Sequence, residues 1–286
     1  MSESLRSHVQ HLIGNFYEME MFVDPYNKRL RIDDYRGDVL KLIEKAEELV
    51  TQFKTEKLII LTRQEHFNQF LQSGFQCEAV VDGFFRGSDA FYFTKYYVVE
   101  RRNSNHCVEE DRILERVRHL KKTGTNITIP KSYYMKKMEI TDSLALSQLY
   151  KEVFTIYPTP LHNPDYIKKT MDNGNIYYGF LYGEEIVSCA SAEVNCLYYH
   201  AELTDCATLP QHRKYGLMKR NLEKLEEVLR QQCIYCVYSI ARAQSFGMNA
   251  VLHGLDYQYR GRLINNCYIF EKLENMNMWV KDLSKE

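Results

Sequence analysis

The chain has 286 residues, of which 45% are hydrophobic and 26% charged, and its formal net charge is −1. These values are typical of a folded globular protein, and the near-neutral charge argues against a nucleic-acid partner. The opening segment lacks the apolar core of a signal peptide, and no window has the roughly 20 apolar residues of a membrane span. We therefore expect a cytoplasmic protein with no membrane partner, built as one large domain or two modest ones.

The sequence contains eight cysteines, which a cytoplasmic chain of this size normally keeps reduced. Cys233 and Cys236 form a lone C-x-x-C pair, whereas a structural zinc site needs a second pair at suitable spacing. We expect neither a disulfide framework nor a bound metal.

The first part of the chain alternates helical and strand patterns. Residues 1–30 show no periodicity that assigns them to an element. The following elements are predicted in order: a helix over Asp38–Phe53, a strand over Lys57–Thr62, a helix over Gln64–Gln72, strands over Phe75–Val81 and Ala90–Val99, and a helix over Cys107–Leu120. The polar run Lys121–Asn126 predicts a domain boundary, which divides the chain into residues 1–126 and 127–286.

The second part predicts an α/β (α+β) domain. Its expected elements are a strand over Tyr133–Ile140, helices over Thr141–Phe154 and Asp165–Met171, a hairpin of Ile176–Tyr182 and Glu185–Val194, a strand over Ala201–Leu209, a helix from Met218 to Gln231, a strand over Ile234–Ile240, a helix over Ser245–Leu252, and strands over Tyr257–Leu263 and Cys267–Lys272. Pro210 ends the Ala201–Leu209 strand because proline cannot donate to a ladder.

The turn between this strand and the long helix is typical of a pyrophosphate site. Residues Gln211–Met218 are basic, contain no acid, and place Gly216 where the helix begins. The first amides of a helix have no internal partner and lie at the positive end of its dipole, and glycine lets a phosphate approach closely. The alternative is an ordinary solvated helix start.

Within this turn, Arg213-x-x-Gly216-x-Met218 resembles the Q/R-x-x-G-x-G/A signature of GNAT-fold N-acetyltransferases, which binds the pyrophosphate of acetyl-CoA. Met218 departs from that signature, and Lys214 stands where many members have a second glycine. The predicted element order matches the GNAT fold, a mixed twisted sheet flanked by helices, over about residues 131–275. The resemblance implies a cofactor site formed by Ala207, Thr208, Arg213, Lys214, Tyr215, Gly216, Leu217, Met218 and Asn249.

The first part of the chain echoes the second. Tyr35–Leu40 precedes a helix much as His212–Leu217 does, and a strand, a helix and two strands follow in both. Val39 replaces the close-approach glycine and Asp38 would repel phosphate, so the echo lacks cofactor chemistry. We expect a degenerate half-GNAT-like domain that serves for packing or as a lid. Chance similarity of two α/β segments is the alternative.

A broader resemblance extends over nearly the full chain. The segments YRGDVLKLIEKA, YPTPLHNPDYI, AELTDCATLP, ARAQSFGMNAV and GRLINNC are similar to the beta-lysine N-acetyltransferase family. This resemblance implies transfer of acetyl from acetyl-CoA to the 6-amino group of beta-lysine. The expected product is N6-acetyl-beta-lysine, a compatible solute, which implies a role in osmoadaptation.

Acetylation of an ammonium requires a base, and Glu202 is the favoured candidate. The run Ala201–Leu203 matches the A-E-hydrophobic run of histone-type GNAT enzymes, whose glutamate is the base. Asp205 and Glu193 are rivals. Glu202 and Asp205 would lie on opposite faces of a regular strand, so both face one substrate only if a bulge intervenes.

The remaining catalytic and binding roles have weaker candidates. Tyr257 or Tyr259 is a candidate acid, and solvent is the alternative proton source. Beta-lysine carries one carboxylate and two ammonium groups, so we expect an arginine for the carboxylate and acids or tyrosines for the amines. The acceptor-site candidates are Tyr157, His162, Glu193, Arg242, Asn265 and Asn266.

Two other functions remain open from the sequence. One is a GNAT enzyme for another small amine, such as a polyamine or an antibiotic, and the other is a non-catalytic module that binds acyl-CoA. Oligomeric state is also left open as monomer or homodimer.

Overall fold

The computed structural model describes residues 7–121, 128–154, 159–269 and 272–285. We call residues 7–121 the first half and residues 128–285 the second half. The strands are β1 His8–Ile13, β2 Tyr17–Asp24, β3 Arg29–Gly37, β4 Lys57–Thr62, β5 Gln76–Phe85, β6 Ser88–Tyr96, β7 Tyr133–Lys137, β8 Ile176–Tyr182, β9 Glu185–Asn195, β10 His200–Thr208, β11 Cys236–Arg242, β12 Gln258–Ile269 and β13 Lys272–Asp282. The helices are α1 Val39–Phe53, α2 Phe67–Gln72, α3 Val99–Arg102, α4 Cys107–Arg118, α5 Ser143–Val153, α6 Pro164–Asp172, α7 Leu217–Gln231 and α8 Phe246–Gly254. Within the described ranges, none of the helices is long and apolar enough to cross a membrane.

All the described strands form one sheet, in the order β1-β2-β3-β4-β6-β5-β12-β13-β11-β10-β9-β8-β7. The two halves share one pairing pattern. In the first half, β3 and β4 are parallel neighbours joined through α1, and β6 lies between β4 and β5. In the second half, β10 and β11 are parallel neighbours joined through α7, and β13 lies between β11 and β12.

The halves meet where Gly261 of β12 pairs with Ala79 of β5. A Cβ added at position 261 would lie 2.2 Å from the carbonyl oxygen of Glu78. The φ angle of Gly261 is 130°, a region that L side chains rarely adopt. Glycine therefore allows the close approach that makes the sheet continuous.

Local sequence explains the helices that precede the parallel strands. In α1, buried residues from Val39 to Val50 recur at helical spacing, and the Asp38 carboxylate accepts hydrogen bonds from the amides of Leu40 (2.9 Å) and Lys41 (3.2 Å). This is the side-chain cap that stabilises a helix start. Helix α7 buries a comparable stripe but begins at Gly216, which has no side chain to cap it.

The sheet of the second half is covered on both faces. Apolar side chains of α7 and α8 pack with Ala201 of β10 on one face. Helices α5 and α6 pack with Cys189 and Ala207 on the other. The rest of that second face packs against the first half, in a core that includes Tyr92 of β6 and Tyr238 of β11. The sheet therefore folds back so that the two halves face each other.

Most predicted elements are present, with two corrections. Residues 8–37 form β1, β2 and β3, although no element is predicted for residues 1–30. The prediction of two final strands at 257–263 and 267–272 is wrong. These segments lie mostly in a single strand, β12, whose register with β13 shifts between Leu263 and Cys267. Its true partner is β13, which follows it. The predicted boundary at Lys121–Asn126 lies almost entirely outside the described residues.

A buried ionic cluster around Glu78 joins the halves. The Glu78 carboxylate accepts from Lys57 Nζ (2.9 Å), Thr94 Oγ1 (2.9 Å) and the amide of Ile264 (3.0 Å), and also from the hydroxyl of Tyr96. Lys57 Nζ donates in addition to the carbonyl of Ile264 at 2.7 Å. The Lys57 side chain is 0% exposed, and burial lowers its pKa to about 8. The cluster thus fixes β12 of the second half against β4, β5 and β6.

Replacement of Glu78 by glutamine should destabilise the protein by about 3–5 kcal/mol, because it leaves the Lys57 ammonium buried without its counter-charge. Urea unfolding monitored by circular dichroism measures the change. Glu44→Gln is the matched control, because Glu44 forms an exposed pair with Lys41 on α1 and its loss should change stability little. Equal stability of the two variants would contradict the structural role of the cluster.

Candidate active site

The parallel strands β10 and β11 separate soon after they meet. They pair at His200–Cys236, Ala201–Val237 and Glu202–Tyr238, and no further pair joins them among the described residues. Strand β10 continues for six residues beyond Glu202, to Thr208. The backbone amides and carbonyls on that edge are therefore available to an extended ligand, as in other strand-addition complexes.

A β-bulge interrupts β10 within this exposed edge. The register with β9 shifts between Thr204 and Ala207, and Asp205 has a φ of 52°. Ser191 Oγ donates to the Asp205 carboxylate at 2.9 Å. In a regular strand Glu202 and Asp205 would face opposite sides of the sheet, whereas a bulge allows both to face the same side. In agreement with this, the negative charge of Asp205 raises the pKa of Glu202.

Glu202 has the strongly perturbed pKa expected of a base. The pKa of its carboxyl is raised to about 8, mainly by burial and also by the charge of Glu193, while Arg31 and a hydrogen bond from Tyr238 oppose the rise. Glu193 lies directly opposite Glu202 on β9. A carboxyl with a pKa near neutrality in a partly buried site is suited to proton transfer.

The first half contributes side chains to the same region. Tyr238 of β11 packs in one core with Tyr92 of β6, and both tyrosines interact electrostatically with Arg31 of β3. Burial raises the pKa of Tyr238 well above its usual range, so its hydroxyl stays protonated and donates to Glu202. Glu202 is thus surrounded by groups from both halves.

Helix α6 supplies a further polar group, Tyr166. Burial raises the pKa of Tyr166 to about 12, and the charges of Asp205 and Glu193 contribute to the increase. A tyrosine beside two carboxylates can donate a hydrogen bond to either, or accept one from an ammonium group. This face of the sheet therefore combines three carboxylates with protonated tyrosines, which suits a cationic ligand.

The turn before α7 has the properties of an anion site. Residues Pro210–Tyr215 form a 3₁₀ helix, and Gly216 follows with a φ of 68°. No side chain caps the start of α7, and its first turn contains no acid. The unpaired first-turn amides and the helix dipole favour a phosphate group there.

The basic residues of the turn are partly engaged. Arg213 Nε donates to the carbonyl of Thr208 at 3.0 Å, which ties the turn to the end of β10. The ammonium of Lys214 lies 5.2 Å from the ring centroid of Tyr215. Met218, which departs from the expected signature, packs against the core beneath α7.

Hydrogen bonds between α7 and the sheet fix the position of this turn. Asn221 Nδ2 donates to Ser188 Oγ at 3.0 Å, and Ser188 Oγ lies 2.8 Å from Thr208 Oγ1. Ala207 is fully buried and pairs with Cys189 of β9. The helix start, the end of β10 and β9 therefore form one rigid corner.

The Asn249 side chain is committed to the core rather than to a ligand. Its amide nitrogen donates to the carbonyls of Arg242 (2.9 Å) and Ser245 (2.7 Å), and its oxygen accepts from Asn277 (2.9 Å) and Trp279 (2.8 Å). These four bonds use the full capacity of an amide side chain. The contacts assign Asn249 a structural role instead of the predicted contact with coenzyme A.

Two predicted acceptor-site residues also have structural contacts. Arg242 makes a bidentate ion pair with Glu274 at 2.6 and 2.5 Å, four residues along β11 from Tyr238. The Asn265 side chain donates to three backbone carbonyls in and beside α3, which anchors the first half to β12. Both side chains are thus engaged with other groups of the protein, and their roles in acceptor binding stay predictions.

Three further residues with predicted catalytic or acceptor roles lie in three different surroundings. Tyr257 lies in the core under α7 and α8, 1% exposed, with the ammonium of Lys281 5.9 Å from its ring centroid. Its role as the acid stays a prediction. Tyr157 lies outside the described residues. Glu193 is exposed on β9 beside Glu202, as its predicted role requires.

Sequence reasoning missed Arg31, Tyr92, Tyr166 and Tyr238. Of these four residues, only Tyr238 could have been inferred from the sequence, because parallel pairing of the two predicted strands places it beside Glu202. Arg31 and Tyr92 belong to the first half and reach the site through long-range folding that no local pattern reveals. Among the described residues, no group of three or more histidine, cysteine or acidic side chains could hold a metal ion.

An uncapped helix start lies beside a strand with an unpaired edge and a perturbed carboxyl, an arrangement that suits an acyl-CoA-dependent transferase. The profile of the acetyltransferase (GNAT) family matches residues 144–251. The N-acetyltransferase YodP of Bacillus subtilis is 40% identical over 260 residues, which cover 91% of this chain and 94% of that protein. The chain therefore belongs to the GNAT family of N-acetyltransferases, which use acetyl-CoA, and it has the GNAT fold expected from the sequence.

Two archaeal relatives have a more specific name. The beta-lysine N(6)-acetyltransferase of Methanosarcina mazei is 31% identical over 270 residues, covering 87% of this chain and all of that protein. The protein of the same name from Methanococcus maripaludis is 29% identical over 261 residues, covering 91% and 94%. The expected resemblance to beta-lysine acetyltransferases is confirmed along most of the chain.

A Gly216→Glu substitution should lower the affinity for acetyl-CoA at least about tenfold, because it introduces bulk and negative charge at the start of α7. Isothermal titration calorimetry measures the binding. Gly183→Glu is the matched control, because Gly183 has a similar φ of 62° in the β8–β9 turn, with open space around an added Cβ. Equal affinities of the two variants would refute the assignment of the turn to the pyrophosphate.

Proposed function

We propose that this N-acetyltransferase transfers acetyl from acetyl-CoA to the 6-amino group of beta-lysine, with Glu202 as the base. The observation that carries the catalytic part is the raised pKa of Glu202 on the strand that borders the opening between β10 and β11. The acceptor follows from the names of the two archaeal relatives. A role in osmoadaptation and a cytoplasmic location belong to the same proposal.

The residues present fit acetyl-CoA in two places. The uncapped amides at Gly216 and Leu217 suit the pyrophosphate, with Arg213 and Lys214 adding positive charge. The free edge of β10 near Ala207 suits the amide groups of the pantetheine arm. When bound, acetyl-CoA supplies the acetyl group as an activated thioester.

The acceptor reaches the reaction as an ammonium ion and must lose a proton before it can act as a nucleophile. Glu202, once ionised, takes that proton directly or through a water, and the Tyr238 hydroxyl stabilises the carboxylate by donating to it. An approaching ammonium also lowers the pKa of Glu202, because opposite charges favour the ionised form. The neutral amine is then ready for acetyl transfer.

The carboxylate-rich face provides for the second ammonium group of beta-lysine. Glu193 lies opposite Glu202, and the Asp205 carboxylate is close enough to influence both Glu202 and Tyr166. A simple monoamine needs one counter-charge, whereas a diamino acid needs two. The arrangement therefore favours a diamine acceptor over a monoamine.

Glu202→Gln should lower kcat about 10²- to 10⁴-fold while leaving the affinity for acetyl-CoA unchanged, since it removes the base without touching the turn. In the wild-type enzyme, kcat/KM should rise with pH up to about 8, because the carboxyl must be ionised to accept a proton and burial raises its pKa to about 8. The variant should lack that limb of the profile. Full activity of the variant would exclude Glu202 as the base.

Thiol release from acetyl-CoA should be fastest with beta-lysine. The comparison uses alpha-lysine, spermidine and a reaction without acceptor, at equal concentrations of purified enzyme. Faster release with spermidine or another amine would retain the N-acetyltransferase and replace the acceptor. Release with none of the amines, with acetyl-CoA still bound, would favour a non-catalytic acyl-CoA module.

A further inference from the structure

The shared pairing pattern of the two halves relates Arg31 to Glu202. Arg29 forms the first pair of the parallel β3–β4 ladder, as His200 does in the β10–β11 ladder. Two residues further along each strand lie Arg31 and Glu202. Arg31 pairs with Ile59 of β4, which packs in the same core as Tyr238, and Tyr238 is the partner of Glu202 on β11. The two equivalent positions therefore face the same region, and the charge of Arg31 acts on Glu202.

The Arg31 guanidinium is held in place but remains accessible. Asp33 accepts hydrogen bonds from its Nε and, at 3.1 Å, from its Nη2. The Arg31 side chain is 31% exposed although it lies between the halves. A guanidinium has five N–H donors in a rigid fork, so Asp33 leaves donors for a second planar anion.

Charges of opposite sign are separated across this region. Glu193 and Glu202 occupy directly opposed positions on β9 and β10, where the charge of Glu193 disfavours ionisation of Glu202 unless a cation lies near them. Arg31 lies on the side of the first half, and its charge acts on Tyr92 and Tyr238 as well as on Glu202. A ligand that carries ammonium groups and a carboxylate would match both charges.

We propose that Arg31 binds the carboxylate of the acceptor, so that the first half selects an amino acid over a simple polyamine. This inference rests on the proposed function and extends it, because it assigns acceptor recognition to the half that carries no cofactor turn. Arg31 is then a specificity-determining residue, and Asp33 is a positioning residue that orients its fork.

The contact between Arg31 and the acceptor carboxylate is tested by a double-mutant cycle, in which one change is made in the enzyme and the other in the acceptor. Wild-type enzyme and Arg31→Gln are each assayed with beta-lysine and with its carboxamide, a neutral analogue of nearly the same shape. Loss of a hydrogen-bonded charge pair should lower kcat/KM of the wild type about 10- to 100-fold with the carboxamide, mainly through KM. Arg31→Gln should show the same loss with beta-lysine and little further loss with the carboxamide.

Two matched variants separate recognition from general effects. Arg36→Gln removes an exposed arginine from the same strand, where it pairs only loosely with Glu18 at 3.7 Å, and should behave like the wild type. Arg31→Lys keeps the charge but loses the fork, and should recover only part of the discrimination. Affinity for acetyl-CoA should be unchanged in all variants, which reports correct folding.

The proposal would be overturned if Arg31→Gln and the carboxamide lowered kcat/KM independently, so that the loss with both changes equalled the product of the separate losses. An Arg31→Gln variant whose pH profile shifts equally with both acceptors would also overturn it, since Arg31 would then act only as a counter-ion of Glu202. If the wild type rejects beta-lysine, the proposed acceptor fails, and the cycle is run with the amino acid that it does accept. Acceptance of only carboxylate-free amines would overturn the inference as well.

Discussion

The burial of Glu202 beneath the first half is the constraint on which the candidate site depends. On an open strand this glutamate would be an ordinary solvated carboxylate, ionised and weakly basic at neutral pH. Folding of the sheet back on itself brings Tyr92 to Tyr238 and removes water from the Glu202 carboxyl, which raises its pKa to about 8. Long-range packing thus raises the pKa of an acidic side chain into the range that suits a general base.

That packing depends in turn on polar contacts at the β5–β12 junction. Glu78, Lys57 and Tyr96 form a cluster whose members satisfy one another and bind the backbone of Ile264. Asn265 extends the same junction by bonding to the backbone around α3. Buried charges in such a cluster specify one arrangement, because any sliding of the halves would leave an ion without its partner.

Local patterns predicted those parts of the molecule that local forces determine. Strand β4 has the predicted bounds and helix α1 differs from them by one residue, since apolar periodicity and the Asp38 cap act within a few residues. The turn at Gly216 was also recognisable, because its chemistry is contained in consecutive residues. Arg31 could not be found in this way, since its proximity to Glu202 requires the pairing of all the intervening strands. Asn249 and Arg242 were assigned to ligands because a sequence does not reveal which polar groups are already satisfied inside the core.

The two helix starts that occupy equivalent places in the halves differ in how they are capped. Helix α1 carries its own anion, the Asp38 carboxylate, and such a cap contributes about 1 kcal/mol to stability. Helix α7 follows Gly216 and has no side-chain cap among the described residues, so its first amides are open to an anionic ligand. The start of α1 is therefore capped by a side chain of the first half, whereas the start of α7 lacks such a cap in the second half. The same strand–helix–strand arrangement thus supplies its own cap in the first half and leaves its helix start open to a ligand in the second.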